Sequence, residues 1–242
     1  MRQPVAAAKL RQPRKLAAMT DDTSAPAPLH IDVVSDVVCP WCYIGKRRLE
    51  GALALSPDVR VDINWRPYFL NPWIPREGID RQTYLETKFG SAERYSVIAE
   101  RVVVAAAMEG LIYAPDKVSR QPNTLDCHRL ILWSRSATDP AHMKQHLMEL
   151  YFAEGADLTD PKVLIQAAVD VGMDGDLVRR LLASDADIDR IEGDAVAAKE
   201  AGIDGVPCFI FGSSVIVTGA QSPEYLASAI ERTSGRHSRP RA

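Results

Sequence analysis

Cysteine is scarce in this sequence, and long apolar runs are absent. The chain has 242 residues but only four cysteines, too few for the dense disulfide framework of small secreted domains. No stretch approaches the ~18 consecutive apolar residues of a membrane-spanning helix. The composition is otherwise ordinary for a globular protein, with 46% hydrophobic and 25% charged residues. We therefore expect a globular chain that has no membrane partner and needs no disulfide framework.

The central part of the chain also lacks the basic character of a nucleic-acid-binding protein. Residues 1–20 and 232–242 together hold nine of the 29 basic residues and no acidic residue. The rest of the chain has 20 basic against 32 acidic residues, a formal charge of −12. We therefore expect no nucleic-acid partner. The two ends, residues 1–28 and 233–242, are predicted to be disordered basic tails.

The N-terminal segment lacks the apolar core of a secretory signal. Its longest apolar stretch, residues 5–8, is shorter than the ~7–15 residues that such a signal requires. Residues 24–28 resemble a linker, and Met19 opens an equally plausible chain, so residues 1–18 are a candidate for an overlong start assignment. Without an export signal we expect a cytoplasmic protein, in a compartment where thiols are normally kept reduced.

Two of the four cysteines have a spacing that suits redox chemistry. The motif Cys39-Pro40-Trp41-Cys42 lies between a β-rich run at residues 29–34 and a helical pattern. A helix that begins at this point favours the thiolate of the first cysteine, because its unpaired N–H groups and its dipole attract negative charge. Pro40 suits the first helical position, where no N–H is needed. A CxxC pair between a strand and a helix is typical of thioredoxin-like redox proteins.

Metal-ligating patterns are weak by comparison. A zinc site built on the CxxC pair would need two further ligands at matching spacing, and Cys127 and Cys208 are isolated in the sequence. His142, His146 and Glu149 follow one helical face at i, i+4 and i+7. An apolar stripe on the opposite face, formed by Met143, Leu147, Leu150 and Tyr151, indicates that the histidine face is solvated. We therefore expect no metal site.

Strand and helix patterns divide the chain into three parts. A second alternating run at residues 59–65 completes a βαβ unit within residues 29–76. Residues 77–201 have helical periodicity and no expected strand from residue 80 onward. Candidate helices in this part cover residues 80–90, 92–109, 123–136, 140–154, 160–171, 174–183 and 187–201. Two strands, at residues 206–211 and 215–218, and a helix at 222–232 complete a ββα unit within residues 202–232. The sequence predicts an α/β thioredoxin fold (βαβ…ββα) interrupted by an all-helical insertion domain.

Three motif blocks carry a family resemblance. They are SDVVCPWCYIG at residues 35–45, NTLDCHRL at residues 123–130, and GVP at residues 205–207 followed by GAQ at residues 219–221. In combination they resemble the DsbA-like thioredoxin superfamily, closest to its FrnE-like branch, over about residues 30 to 232. The resemblance implies a thiol–disulfide oxidoreductase in which Cys39 attacks and Cys42 resolves. It implies no cofactor beyond this dithiol, with glutathione as a candidate co-substrate.

The same resemblance implies a substrate-binding surface. Val206 and Pro207 match the family's cis-proline site, which faces the CxxC pair. We therefore expect Pro40, Trp41, Val206 and Pro207 to bind the substrate, with the backbone of Val206 pairing with an extended segment. The expected substrates are proteins or small molecules that contain thiols or disulfides. Because Trp41 supplies no positive charge between the two cysteines, we expect less thiolate stabilisation than in a strongly oxidising relative.

Two other functions stay open. Glutathione-dependent 2-hydroxychromene-2-carboxylate isomerases and kappa-type glutathione transferases share this fold, and the block at residues 123–129 resembles them too. Those enzymes typically have serine where Cys39 stands, which weighs against them. The third hypothesis is a redox-responsive, chaperone-like binding module. It would need a large exposed apolar surface, for example around Trp41, Tyr43 and Trp73.

Several residues near the motifs allow two interpretations. Cys208 is either a third thiol near the dithiol or, as we favour, a small buried residue that opens a strand. His128 either lines the cleft or is a hydrogen-bonded structural histidine, and we favour the structural role. The basic run at residues 46–48 either steers acidic partners or forms an ordinary exposed helix face.

Overall fold

The structure is a computed structural model that describes residues 27–235. The basic tails predicted at residues 1–28 and 233–242 fall almost wholly outside this range. Within the range, no helix combines the length and the apolar character that a bilayer crossing requires.

The elements follow the predicted order closely. The strands are β1 (Leu29–Ser35), β2 (Val61–Pro67), β3 (Ile79–Asp80), β4 (Arg120–Gln121), β5 (Cys208–Phe211) and β6 (Val215–Thr218). The helices are α1 (Pro40–Leu55), α2 (Arg81–Phe89), α3 (Ala92–Met108), α4 (Leu125–Ser134), α5 (Pro140–Glu149), α6 (Pro161–Asp170), α7 (Gly175–Leu182), α8 (Ile188–Glu200) and α9 (Pro223–Thr233). A 3-10 helix at Pro115–Lys117 precedes β4, and a π-helical turn at Leu150–Glu154 continues α5.

A four-stranded sheet in the order β2–β1–β5–β6 forms the thioredoxin module. β1 pairs in parallel with β2 through the α1 crossover, and it pairs antiparallel with β5. β6 completes the sheet by pairing antiparallel with β5, and α9 follows it. The chain therefore forms βαβ, then a helical insertion, then ββα, which confirms the predicted fold class.

Side chains alternate across this sheet, so that both faces are covered. Val33 of β1 and Phe209 of β5 belong to the core that α1 and α9 close. Their neighbours Val34 and Cys208 point to the opposite face. There they pack with Ala198 of α8. Cys208 is thus a buried strand residue, as we favoured from the sequence.

Helix boundaries in the insertion agree with their capping residues. The side chains of Asp139 and Asp160 accept hydrogen bonds from the backbone N–H groups of Ala141 and Lys162. These caps satisfy N–H groups that a helix start leaves unpaired. Gly155 ends the π-helical turn with a φ of 74°, a left-handed conformation that favours glycine.

The expectation of no strand after residue 80 was wrong in one place. β3 and β4 form a short antiparallel ladder in which Ile79 lies opposite Gln121 and Asp80 lies opposite Arg120. Strands of two residues have no alternation that a sequence pattern can reveal, so their pairing depends on the tertiary structure.

The largest hydrophobic core joins the two modules. It contains Cys39, Cys42 and Tyr43 of the CxxC motif together with Leu147 and Phe152 of the insertion. The rings of Tyr43 and Phe152 stack with centroids 5.3 Å apart. The insertion therefore packs directly against the dithiol and forms one wall of the site.

Candidate active site

The backbone places Cys39 at the start of a helix. Cys39 is the N-cap residue of α1, and Pro40 follows at the first helical position. The Cys39 carbonyl accepts the N–H groups of Cys42 at 3.0 Å and Tyr43 at 3.2 Å. The thiol of Cys39 thus lies at the end of the helix whose dipole and unpaired N–H groups favour negative charge.

Cys42 lies one turn inside the helix and is more shielded than Cys39. Its exposed fraction is 1%, against 4% for Cys39, and both cysteines are free thiols. Burial raises the pKa of the Cys42 thiol well above its usual value, the sulfur of Cys39 raises it further, and the charge of Lys144 opposes both effects. The Cys42 thiol therefore keeps its proton near neutral pH.

The GVP block faces the dithiol. The Val206-Pro207 peptide bond is cis, as the family resemblance implied. The thiol of Cys39 donates a hydrogen bond to the Val206 carbonyl oxygen, with a sulfur–oxygen distance of 3.6 Å. The two segments meet although 167 residues separate them in the sequence.

Gly45 allows α1 to approach this loop closely. A Cβ atom on Gly45 would lie 2.8 Å from Cγ of Pro207 and 3.3 Å from Cζ of Phe209. Only a residue without a side chain leaves room for that contact. Gly45 belongs to the motif at residues 35–45, but its role depends on a contact distant in sequence and was not predicted.

A cavity of about 230 Å³ opens beside Cys39, between the thioredoxin module and the insertion. Three of the four expected substrate-binding residues, Pro40, Trp41 and Val206, line it together with Cys39. Pro207 is buried behind them, against Gly45. The structure therefore brings the predicted catalytic and binding residues to one location.

The insertion lines the other side of the cavity. Its aromatic lining residues are Tyr84, Phe89, Tyr95, Tyr113, Tyr151 and Phe152. Two basic residues of α2, Arg81 and Lys88, also line it.

Trp41 and Trp73 are exposed, but Tyr43 has an exposed fraction of only 2%. The expectation of an exposed apolar surface around these three residues, which a chaperone-like binding module would need, was therefore wrong at Tyr43.

Lys144 brings a positive charge to the dithiol from the insertion. It lies on α5 with an exposed fraction of 1%, and its Nζ is 5.4 Å from the ring centroid of Trp65. Burial lowers the pKa of Lys144 to about 8, against the opposing influence of Cys42 and Asp36. Lys144 lies far from the CxxC motif in the sequence and reaches the dithiol only through the tertiary structure, so this charge was not predicted.

Asp36 and His128 form a buried pair next to the motif. His128 Nε2 lies 3.4 Å from Asp36 Oδ1, and the Leu70 N–H donates to Asp36 Oδ2 at 2.8 Å. Burial opposes ionisation of Asp36, but His128 and the Leu70 N–H hold its pKa below the usual value. Burial lowers the pKa of His128 despite the neighbouring carboxylate, so we assign a neutral imidazole. His128 is thus buried beside Asp36, and it does not line the cavity beside Cys39.

The basic run after the dithiol is not the exposed helix face that the sequence suggested. Lys46 has an exposed fraction of 3% and pairs with Glu50. Arg48 binds Glu109 of the insertion at 2.7 Å and the Ala220 carbonyl oxygen at 2.6 Å. Arg48 therefore connects α1 to the GAQ block and to the insertion.

The block at residues 123–130 stabilises the insertion. Asn123 donates to the Ile74 carbonyl oxygen at 2.8 Å. Arg129 is fully buried and donates to the carbonyl oxygens of Leu181 and Ala186, both at 2.7 Å. These contacts anchor α4 to the end of α7 and to the segment before α8, away from the cavity.

The histidines of α5 contact other polar groups. His142 lies 3.1 Å from the Thr138 hydroxyl, and His146 lies 3.0 Å from the Asp170 carboxylate. Between residues 27 and 235, no three side chains of the types that ligate metals are grouped closely enough to hold an ion.

A CxxC pair at a helix start, opposite a cis-proline loop in a thioredoxin fold, defines a thioredoxin-like dithiol protein with a helical insertion. Comparison with known families gives the same class. The model of the DSBA-like thioredoxin domain matches residues 30–231. The chain belongs to this family.

Known relatives match over most of the chain. The uncharacterized protein YwbO of Bacillus subtilis is 28% identical over 204 residues, which are 84% of this chain and 96% of YwbO. A probable DsbA oxidoreductase of Streptomyces coelicolor has a crystal structure that matches at a TM-score of 0.79 with 28% identity, covering 88% and 93% of the two chains. A 2-hydroxychromene-2-carboxylate isomerase matches at a TM-score of 0.64 with 16% identity, covering 84% and 95%. This last likeness concerns the fold alone.

Proposed function

We propose that this protein is a thiol–disulfide oxidoreductase of the FrnE-like type, with Cys39 as the nucleophile and Cys42 as the resolving thiol. The observation that carries the proposal is the position of the Cys39 sulfur. It lies at the N-terminus of α1 and 3.6 Å from the carbonyl oxygen of Val206. A substrate segment that pairs with the backbone of Val206 would therefore present its sulfur to Cys39.

The proposed reaction is a pair of thiol–disulfide exchanges. The Cys39 thiolate bonds to one sulfur of a substrate disulfide, and the substrate S–S bond breaks. The departing thiolate takes a proton from water. Cys42 then gives its proton to water, and its sulfur bonds to Cys39 as the bond between Cys39 and the second substrate sulfur breaks. That sulfur leaves as a thiolate and takes a proton from water. Two electrons pass from the dithiol to the substrate, and the reverse sequence oxidises a substrate dithiol.

Charge near the dithiol supports the second exchange. Cys42 must ionise before it can attack, although burial raises the pKa of its thiol. The ammonium group of Lys144 opposes that effect. We therefore assign to Lys144 the role of stabilising the Cys42 thiolate as it forms.

The proposal includes the setting in which the reaction occurs. The sequence has only four cysteines, which supports a location in the cytoplasm, where thiols are normally kept reduced. The substrates would be thiol- or disulfide-containing proteins or small molecules, with glutathione as a candidate co-substrate. The chemistry needs no metal or organic cofactor, because the dithiol itself carries the electrons.

The test is reduction of insulin disulfides in the presence of dithiothreitol. We expect the wild type to accelerate the reaction, and Cys39→Ser to abolish the acceleration. Cys127→Ala, which removes a thiol outside the cavity, is the matched control and should keep the activity. Full activity of Cys39→Ser would contradict the proposal. Glutathione-dependent isomerisation of 2-hydroxychromene-2-carboxylate that survives Cys39→Ser would instead favour the isomerase branch.

A further inference from the structure

The cavity beside Cys39 has an unbalanced charge. Arg81 and Lys88 both line it, and none of its lining residues is acidic. The thiolate of Cys39 supplies at most one negative charge, and that charge disappears when a disulfide forms. The lining residues therefore never supply enough negative charge to neutralise both Arg81 and Lys88.

Arg81 is the inner of these two cations. Its hydrogen-bond partners among the described residues are neutral, and they are Tyr95 at 2.9 Å, Gln121 at 2.5 Å and Tyr151 at 3.4 Å. Its guanidinium group also lies 5.0 Å from the ring centroid of Tyr95. The Nε atom is buried without a hydrogen-bond partner. A guanidinium group that is partly removed from water favours an anionic partner.

A pair of phenols next to Arg81 has a proton to donate. The hydroxyl oxygens of Tyr95 and Tyr113 are 2.6 Å apart, so one of them donates to the other. Tyr95 already accepts from Arg81. The two hydroxyls carry two protons and use one between them, which leaves one O–H that can donate to a ligand.

Lys88 lies at the mouth of the cavity. Its side chain is exposed, its Nζ donates to Asn71, and it lies 5.6 Å from the ring centroid of Tyr84. The volume of about 230 Å³ is below the ~300–1,000 Å³ of sites that enclose drug-sized ligands. The cavity therefore fits the substituent of a small thiol better than a loop of a folded protein.

We propose that this cavity binds the carboxylate-bearing part of a small thiol or disulfide of the glutathione class, with Arg81 as the inner anion-binding residue and Lys88 at the entrance. The proposal rests on the disulfide exchange proposed above and names the substrate class for the same site. The bonds formed and broken are those of that exchange. In the reverse direction the same exchange reduces the Cys39–Cys42 disulfide and oxidises two molecules of the small thiol to one disulfide.

The experiment compares three small disulfides of different charge. Protein reduced with dithiothreitol and then desalted is mixed in a stopped-flow instrument with oxidised glutathione, bis(2-hydroxyethyl) disulfide or cystamine. Tryptophan fluorescence, with Trp41 beside Cys39, reports the single turnover. Each second-order rate constant is divided by that of dithiothreitol with the same disulfide, which removes differences in intrinsic reactivity. We expect the normalised value for glutathione to exceed that for cystamine about tenfold or more.

Two substitutions locate the origin of this selectivity. Arg81→Gln should reduce the preference of glutathione over the neutral disulfide about tenfold, whereas Arg81→Lys should retain part of it. Lys88→Gln should have a smaller effect, which is lost at high salt because the side chain is exposed. Arg101→Gln, on the exposed side of α3, is the matched control and should keep the wild-type preference.

Several results would overturn this proposal. One is equal normalised rate constants for the three disulfides in the wild type, and another is a variant Arg81→Gln that folds but slows all three equally. If Arg81→Gln does not fold, as judged by circular dichroism, the wild-type ranking and Lys88→Gln still decide the question. Failure of the proposed function would look different, because the neutral disulfide would then react no faster with the wild type than with Cys39→Ser.

Discussion

The cavity beside Cys39 has two walls, and they differ in what they contribute to the site. The wall from the thioredoxin module consists of the start of α1 and the loop at Val206-Pro207, and it positions a nucleophile through backbone geometry. The wall from the insertion contributes side chains of α2 and α3, among them Arg81 and Lys88. Lys144 of α5 is buried behind this lining and adds a positive charge near the dithiol. The first wall positions the reactive thiol of Cys39. The second wall sets the charge around it and the shape of the cavity.

This difference separates reactivity from selectivity. The first wall depends on close approach, because Pro207 packs where a side chain on Gly45 would lie. The second wall depends on charges, and two of them, the half-buried Arg81 and the buried Lys144, lie where electrostatic effects are stronger than at the surface. Changes in the first wall should therefore affect all substrates, and changes in the second should distinguish between substrates or between steps.

The largest effect is expected from adding a side chain at Gly45, where α1 packs closely against Pro207. Gly45→Ala places a Cβ atom 2.8 Å from Pro207, and overpacking of this kind costs about 1–3 kcal/mol. We expect a lower free energy of unfolding in urea and slower reduction of every disulfide tested. Gly193→Ala is the matched control, since a Cβ on this α8 glycine meets nothing within 4 Å. It should be neutral or stabilise the protein by about 0.5–1 kcal/mol. A Gly45→Ala variant as stable and as active as Gly193→Ala would show that the close contact is unimportant.

The second wall is tested by removing the buried charge. We expect Lys144→Met to slow the attack of Cys42 on the mixed disulfide by roughly tenfold. The first attack by Cys39 should change less. Because a buried charge is replaced by an apolar side chain, stability should be unchanged or higher. Rapid acid quenching and mass spectrometry follow the decay of the mixed disulfide, and Lys162→Met, at an exposed position, is the control.

The same variant makes a pH prediction. Burial lowers the pKa of Lys144 to about 8, so its ammonium charge is lost as the pH rises above that value. The advantage of the wild type over Lys144→Met in the resolving step should therefore be largest below pH 8 and should disappear above it. A ratio that does not change between pH 7 and pH 9.5 would mean that Lys144 acts through packing alone.

The smallest effect is expected at Cys127, which belongs to neither wall. Burial raises the pKa of the Cys127 thiol well above its usual value. In the unfolded chain this thiol ionises near pH 8.5, so the unfolded state binds fewer protons at alkaline pH. The stability associated with Cys127 is therefore fully present below that pH and is lost as the pH rises. Urea unfolding under reducing conditions should show that Cys127→Ala loses about 1 kcal/mol less than the wild type between pH 8 and 9.5. Equal losses in the two proteins would contradict this account.

The first wall was largely predictable from the sequence because its features are local. The CxxC spacing, Pro40 and the flanking periodicity indicate a thiol at the start of α1. The segment at 205–207 was assigned through its resemblance to a family. The helices of the insertion were predicted for the same local reason, since capping residues such as Asp139 and Asp160 mark their starts.

The second wall was not predicted because its features depend on tertiary contacts. The apolar stripe expected on α5 comprised Met143, Leu147, Leu150 and Tyr151. The buried face of α5 and the turn after it includes Met143, Lys144, Leu147, Met148 and Tyr151. Lys144 and Met148 are four residues apart and share a helix face, which was the available signal that Lys144 is buried. A second available signal concerned Arg81, which lies in the first turn of α2. The helix dipole disfavours a positive charge at that position, so a role for Arg81 other than stabilising the helix was indicated.

The most direct test of the central claim is to trap the first covalent intermediate. Reduced Cys42→Ser is mixed with oxidised glutathione, and the product is analysed by intact mass spectrometry and peptide mapping. We expect a persistent adduct of one glutathione at Cys39, while the wild type proceeds to a Cys39–Cys42 disulfide without an adduct. Cys39→Ser should hold no adduct over the same time. An adduct found at Cys127 or Cys208, or one that persists equally in the wild type, would contradict the assignment of Cys39 as the nucleophile and Cys42 as the resolving thiol.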